Sequence, residues 1–221
     1  MSKQVKIFLL NNTLTNTAVS VIITLIIMMY DRFSEENIIA KIDSTTVFII
    51  GVSLCLIWSF YIIREELSIC FKNISIKKFI FWVSIGYLFI FLSIMAIEFV
   101  IPATTNLSPT PTNEATLIED TLANPFPMLF YIIIIGPIRE ELVFRYALIG
   151  KSNSYMWLKI IISSILFGLI HLAGGPIIYT LSYMACGLVL GYVYKKNNTN
   201  IIYPIGLHIV NNIVGAIMAF S

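Results

Sequence analysis

Phe126 to Ile149 reads FPMLFYIIIIGPIREELVFRYALI, and the reading of this stretch decides the fold. Phe126 to Ile135 is apolar but too short to cross a bilayer, which takes about 20 mainly apolar residues. Gly136-Pro137 should kink or break a helix here. Arg139, Glu140, Glu141 and Arg145 follow, and Leu142 to Ile149 is apolar again. A loop outside the membrane would strand two apolar pieces. A spanning helix would carry four ionisable groups, each costing about 2.5–3.5 kcal/mol at the bilayer centre and together on the order of 10 kcal/mol. Charges retained at that cost face the interior of a bundle and mark a functional site. The break is tolerated where protein, not lipid, serves the freed backbone groups.

The rest of the chain supplies the bundle. Its 221 residues are 58% apolar and 12% charged, against about 45–50% and 25% in soluble domains. Seven stretches are apolar and long enough to span: 9–30, 44–63, 79–101, 125–150, 155–173, 176–194 and 201–220. The expected fold is all-α, a polytopic transmembrane bundle of about seven spanning helices. It divides into residues 1–124, with three helices and an outer loop, and residues 125–221, a core of four helices. Pro102 to Asn124 is rich in Pro, Thr and Asn and has no basic residue, so it reads as an exposed loop. The first apolar stretch ends in Tyr30-Asp31-Arg32 without a small-residue cleavage site, and is expected to remain as a helix.

Basic residues set the orientation. With the N-terminus cytoplasmic, Lys3, Lys6, Arg64, Lys72, Lys77, Lys78, Lys151, Lys159, Lys195 and Lys196 lie inside, and only Arg32 and Lys41 outside. The N-terminus is therefore expected inside and the C-terminus outside, with Trp82 and Trp157 at the inner interface. The excess of Lys over Arg, with abundant Ile and Asn, points to a low-GC bacterial genome and a bacterial cell membrane. A net charge of +2 gives no reason to expect nucleic acid. Cys55, Cys70 and Cys186 have no paired or metal-like spacing and read as apolar filler. Gly187-x-x-x-Gly191 lets one helix approach another closely, within a chain or between chains, so oligomeric state stays open. Gly174-Gly175-Pro176 reads as an outer turn.

Helix geometry separates the charges. Glu141 and Arg145, at i and i+4, form a helical ion pair. Glu140 lies on another stripe, free to face a cavity as a general base, and Arg139 points elsewhere, toward a partner the sequence does not name. The two histidines, His171 and His208, both fall in expected spans, as Phe167-x-x-x-His171 and His208-x-x-x-Asn212. Taking Lys151, Lys159 and Asn200 as inner-interface markers, Glu140 comes out about 16 Å deep, His171 and Asn212 about 18 Å and His208 about 12 Å. A carboxylate, two imidazoles and a carboxamide in one layer are the groups needed to activate water and hold an oxyanion.

These residues resemble the CPBP (CAAX protease and bacteriocin-processing, or Abi) intramembrane proteases. The motifs Glu-Glu-x-x-x-Arg, Phe-x-x-x-His and His-x-x-x-Asn stand here in order as Glu140-Glu141-x-x-x-Arg145, Phe167-x-x-x-His171 and His208-x-x-x-Asn212. The resemblance covers about residues 125–220. It implies an endopeptidase in which Glu140 and His171 activate water, His208 and Asn212 stabilise the oxyanion, and Glu141, Arg145 and Phe167 shape the site. It leaves open a metal; if zinc is used, Glu140, His171 and His208 are its ligands. Tyr146 stands where the family commonly has Gly, and its bulk is expected to narrow the cavity. The implied partner is a peptide or membrane-associated protein substrate within the lipid bilayer. A second role the resemblance implies is bacteriocin self-immunity, by binding or by proteolysis. Ile63-Arg64-Glu65-Glu66-Leu67 nearly repeats Ile138-Arg139-Glu140-Glu141-Leu142, but Cys70 stands where the ion-pairing Arg145 does, and the copy reads as non-catalytic.

Overall fold

The computed structural model describes residues 2–34, 44–104, 112–172 and 177–220, and among them every regular element is a helix. In chain order these are α1 (Lys3–Asn11), α2 (Thr13–Ser34), α3 (Ser44–Ile62), α4 (Arg64–Lys72), α5 (Ile76–Thr104) and α6 (Thr112–Ala123). A broken helix follows, from α7 (Pro125–Phe130) through α8 (Gly136–Glu141) to Ile149, and then α9 (Met156–Leu169), α10 (Thr180–Lys196) and α11 (Ile202–Phe220). The chain is a multi-pass helical bundle, as its composition requires. Among the described residues four helices are both long and apolar enough to cross a membrane: Thr45–Ile62, Ile76–Ile97, Ile177–Lys196 and Ile202–Phe220. Two further apolar segments, Ala18–Met29 and Met156–Leu169, are shorter.

The expected first span, 9–30, is two helices. Asn12 is extended (φ −77°, ψ 156°), and its side chain serves both ends of the break. Its amide nitrogen donates to the Leu9 carbonyl at 2.6 Å, while its amide oxygen accepts from the Thr15 N–H at 2.9 Å. One asparagine thus ends α1 and caps α2, the local bonding that makes this residue a helix terminator. Two other helices also went unexpected. α4 carries the charges after α3, and α6 occupies part of the stretch read as a loop. The expected turn at Gly174-Gly175-Pro176, Lys41 and residues 105–111 lie outside the described residues.

The broken helix is the centre of the molecule. Leu142, Tyr146 and Ile149 pack into one apolar core with Ile7, Leu56, Ile160 and Tyr194. Val143 and Phe144 face a second, with Ile90, Phe167, Leu190 and Leu207. α1 packs on Leu142–Ile149, α9 and α10 pack on each other, α5 backs α10 and α11, and α2 and α3 stand behind α1. The outer faces of α2, α3, α5 and α9 carry exposed apolar side chains such as Ile26, Ile57, Ile80 and Ile162. In water such a surface would aggregate, and in lipid it is the solvated face. Gly187-x-x-x-Gly191 packs within the chain. A Cβ on Gly187 would stand 3.0 Å from the Ser164 Cα, and one on Gly191 2.8 Å from the Ile160 Cγ2, so both residues seat α10 against α9.

Candidate active site

The helix that carries the charges is irregular on both sides of them, and Pro137 accounts for the first irregular stretch. Tyr131–Ile135 and Leu142–Ile149 are π-helical, flanking the single α-turns of α8. Gly136 donates its N–H to the Tyr131 carbonyl, five residues back. In that register the next bond would run from residue 137 to Ile132, but proline has no N–H to give. The Ile132 carbonyl instead accepts from the Asn212 amide of α11 at 2.8 Å. Such π-turns re-aim side chains and are common at functional sites. They bring Arg139, Glu140 and Glu141 into the bundle immediately after the break.

Glu141 and Arg145 are fully buried and paired at 2.9 Å. Arg145 also donates to the Gly187 carbonyl at 3.0 Å, and its guanidinium lies over the Phe167 ring at 4.8 Å. The same Glu141 oxygen accepts from the Nδ1 of His208 at 2.9 Å. Because a carboxylate oxygen can only accept when ionised, that bond places a proton on Nδ1. The other ring nitrogen, Nε2, stands 3.7 Å from Glu140 Oε2. His208 thus bridges the two glutamates, with Arg145 balancing the deeper one. The sequence reading did not include His208 as a partner of Glu141.

Glu140, His171, His208 and Asn212 line one cavity of about 780 Å³, and Glu141 and Arg145 stand behind its wall. His171 enters from the end of α9. Its Nδ1 lies 2.7 Å from the Phe167 carbonyl, and its ring stacks on Tyr183 with centroids 4.3 Å apart. The carbonyl accepts, so Nδ1 is the protonated nitrogen and Nε2 is left as the acceptor. Phe167 also touches the His208 ring, centroids 5.7 Å apart, and so spaces the two imidazoles. Tyr146 does not narrow this cavity; it turns into the core beside Ile7. The partners the sequence could not name for Arg139 include the Asn11 carbonyl at 2.8 Å and the Tyr131 hydroxyl at 2.9 Å. The α1–α2 break therefore frees a carbonyl that the residue beside Glu140 uses.

The near-repeat in α4 has no such surroundings. Glu65 is exposed, Glu66 pairs with Lys3 at 2.8 Å, and Arg64 lies over Tyr61 at 4.6 Å. Among the described residues no three His, Cys, Asp or Glu side chains converge as metal ligands. Within the set that would hold zinc, Nδ1 of each histidine bonds to protein, to Phe167 and to Glu141, which leaves Nε2 of each as the nitrogen a ligand would meet.

A family model described as type II CAAX prenyl endopeptidase Rce1-like matches residues 122–214, a segment that contains Glu140, Glu141, Arg145, Phe167, His171, His208 and Asn212. No curated protein and no solved structure matches the chain.

Proposed function

With residues 122–214 belonging to the Rce1-like type II CAAX prenyl endopeptidases, within the CPBP family of intramembrane proteases, we propose that the chain hydrolyses a peptide bond in a membrane-associated peptide or protein, with Glu140 as the general base. The observation that carries this reading is His208 held between the two glutamates at the edge of the shared cavity. Glu140 takes a proton from water, and the resulting hydroxide attacks the scissile carbonyl carbon. Nε2 of His171, left as an acceptor by the bond from Nδ1, orients that water. His208, oriented by the Nδ1–H bond to Glu141, presents Nε2 to the developing oxyanion. Collapse of the tetrahedral intermediate breaks the C–N bond, and Glu140 returns its proton to the leaving amine. Phe8, Tyr87, Phe91 and Met95 extend the cavity as apolar wall, suited to the apolar side chains of a substrate entering from lipid. The direct test is cleavage of membrane-tethered peptide reporters by the chain reconstituted in liposomes, with the products identified by mass spectrometry.

The reading takes Glu140 as a general base without a metal; in its support, no three His, Cys, Asp or Glu side chains converge as ligands among the described residues. The purified chain is expected to contain less than about one zinc per ten molecules by elemental analysis and to keep its cleavage rate after chelation. Stoichiometric zinc, with activity lost on chelation and restored by zinc, would overturn this part.

We further propose that the N-terminus is cytoplasmic and the C-terminus outside. The basic ends of the helices support it: Lys195 sits over the Trp157 ring at 3.7 Å and Lys196 over Tyr192 at 5.5 Å, a cation–aromatic belt of the kind found at the cytoplasmic interface. Alkaline phosphatase folds only outside the cytoplasm, so a fusion after Ser221 should be active and one after Lys196 inactive. The opposite pattern would reverse the assignment.

A further inference from the structure

The Asn212 carboxamide donates to the Ile132 carbonyl, the acceptor that Pro137 strands in the π-register of Tyr131–Ile135. A stranded carbonyl inside a membrane bundle must be met by a protein donor or by cavity water, and here the protein supplies the donor. Asn211 donates to the Asn212 amide oxygen at 3.4 Å, which leaves the Asn212 NH₂ directed at Ile132. On the same face of α11, four residues earlier, His208 meets Glu141 and Glu140. α11 therefore grips the broken helix on both sides of its break: before Pro137 through Asn212, after it through His208.

From this geometry we infer that Asn212 is a positioning residue, a staple that fixes the angle of the break and so aims Glu140 at the cavity. The bond uses one of the two amide hydrogens, and the effect assigned to it runs through the backbone of Ile132–Gly136. The inference rests on the peptidase reading only for its activity arm.

Pro137 offers a test that separates the two roles. Replacing it by alanine restores an N–H at position 137, the donor that the π-register lacks. Four proteins are compared in liposomes and in detergent: the parent, Asn212→Ala, Pro137→Ala and the double variant. Asn212→Ala is expected to lower kcat about thirtyfold, and Pro137→Ala to leave it within about threefold. The double variant should recover about tenfold of the loss, because the restored N–H now serves the Ile132 carbonyl. An oxyanion donor could not be replaced this way, so a double variant as slow as Asn212→Ala overturns the inference. Thermal unfolding of the same four proteins gives a cycle that needs no catalysis. A smaller loss of midpoint from Asn212→Ala in the Pro137→Ala background supports the staple, and additive midpoints overturn it. Should the parent cleave nothing, the peptidase reading fails and the unfolding cycle still decides the staple. Asn212→Leu, nearly isosteric and without a donor, stands in if Asn212→Ala does not fold.

Discussion

Glu140→Gln is expected to slow reporter cleavage by about 10²–10⁴-fold while the protein inserts, folds and melts as the parent does. The carboxamide matches the carboxylate in shape but cannot take a proton from water, so the general base is removed with little else changed. Folding should survive because Glu140 is not part of the fully buried pair. Its side chain keeps 20% of its surface accessible and faces the cavity, 3.7 Å from His208 Nε2. His171→Ala should fall in the same range, since the water then loses its acceptor. Glu65→Gln is the matched control: it lies in the near-repeat Ile63-Arg64-Glu65-Glu66-Leu67, exposed on α4, and should cleave at the parent rate. Full cleavage by Glu140→Gln in the same liposomes would remove Glu140 as the general base, whereas a parent that cleaves no reporter would sink the peptidase reading and leave a binding role, such as immunity toward a membrane-active peptide. Equal loss in Glu65→Gln would mean that general acidity, not position, is being measured.

What the sequence made legible follows from which forces act locally. Apolar excess has no outlet but lipid, so the helical membrane bundle could be read from composition alone. The separation of the two glutamates was also readable, because i, i+4 spacing and a 100° turn act along one helix. The break at Asn12 was lost for the opposite reason. Apolarity averaged over 9–30 stays high across one asparagine, although Asn11-Asn12-Thr13 carries helix-capping side chains that announce a terminus. The α6 helix was missed because Pro, Thr and Asn around it describe a loop in composition without fixing where a helix starts. His208 shows the limit most clearly. Glu141 looked closed once Arg145 was assigned to it, yet a carboxylate accepts several bonds, and one oxygen takes both Arg145 and His208. The depth estimate held the hint. It set His208 about 4 Å nearer the inner face than Glu140, on the side where Glu141 lies. No pattern within one helix could show that Asn212 would meet Ile132, because that contact exists only once Pro137 has shifted the register of a different helix.

Arg145→Met is expected to be the most destabilising single change in the chain, lowering the free energy of unfolding by about 3–5 kcal/mol, read as a fall in the thermal midpoint in detergent. Methionine fills much of the arginine's space over Phe167 but leaves Glu141, fully buried, without its cation. A buried pair is often no net gain against an apolar pair of the same volume, whereas half of one is a large loss. The double variant Glu141→Leu/Arg145→Met should therefore regain most of the stability. It should not regain activity, and this is what distinguishes the network from packing. With Glu141 gone, nothing accepts from Nδ1 of His208, so the imidazole is no longer held in one tautomer with Nε2 toward Glu140. Cleavage in the double variant should stay about 10²-fold or more below the parent at a near-parent melting point. A double variant that is stable and fully active would show that the buried pair serves packing alone and that His208 needs no anchor. One that remains unstable would show that Arg145 acts on stability through the Gly187 carbonyl of α10, more than by balancing Glu141.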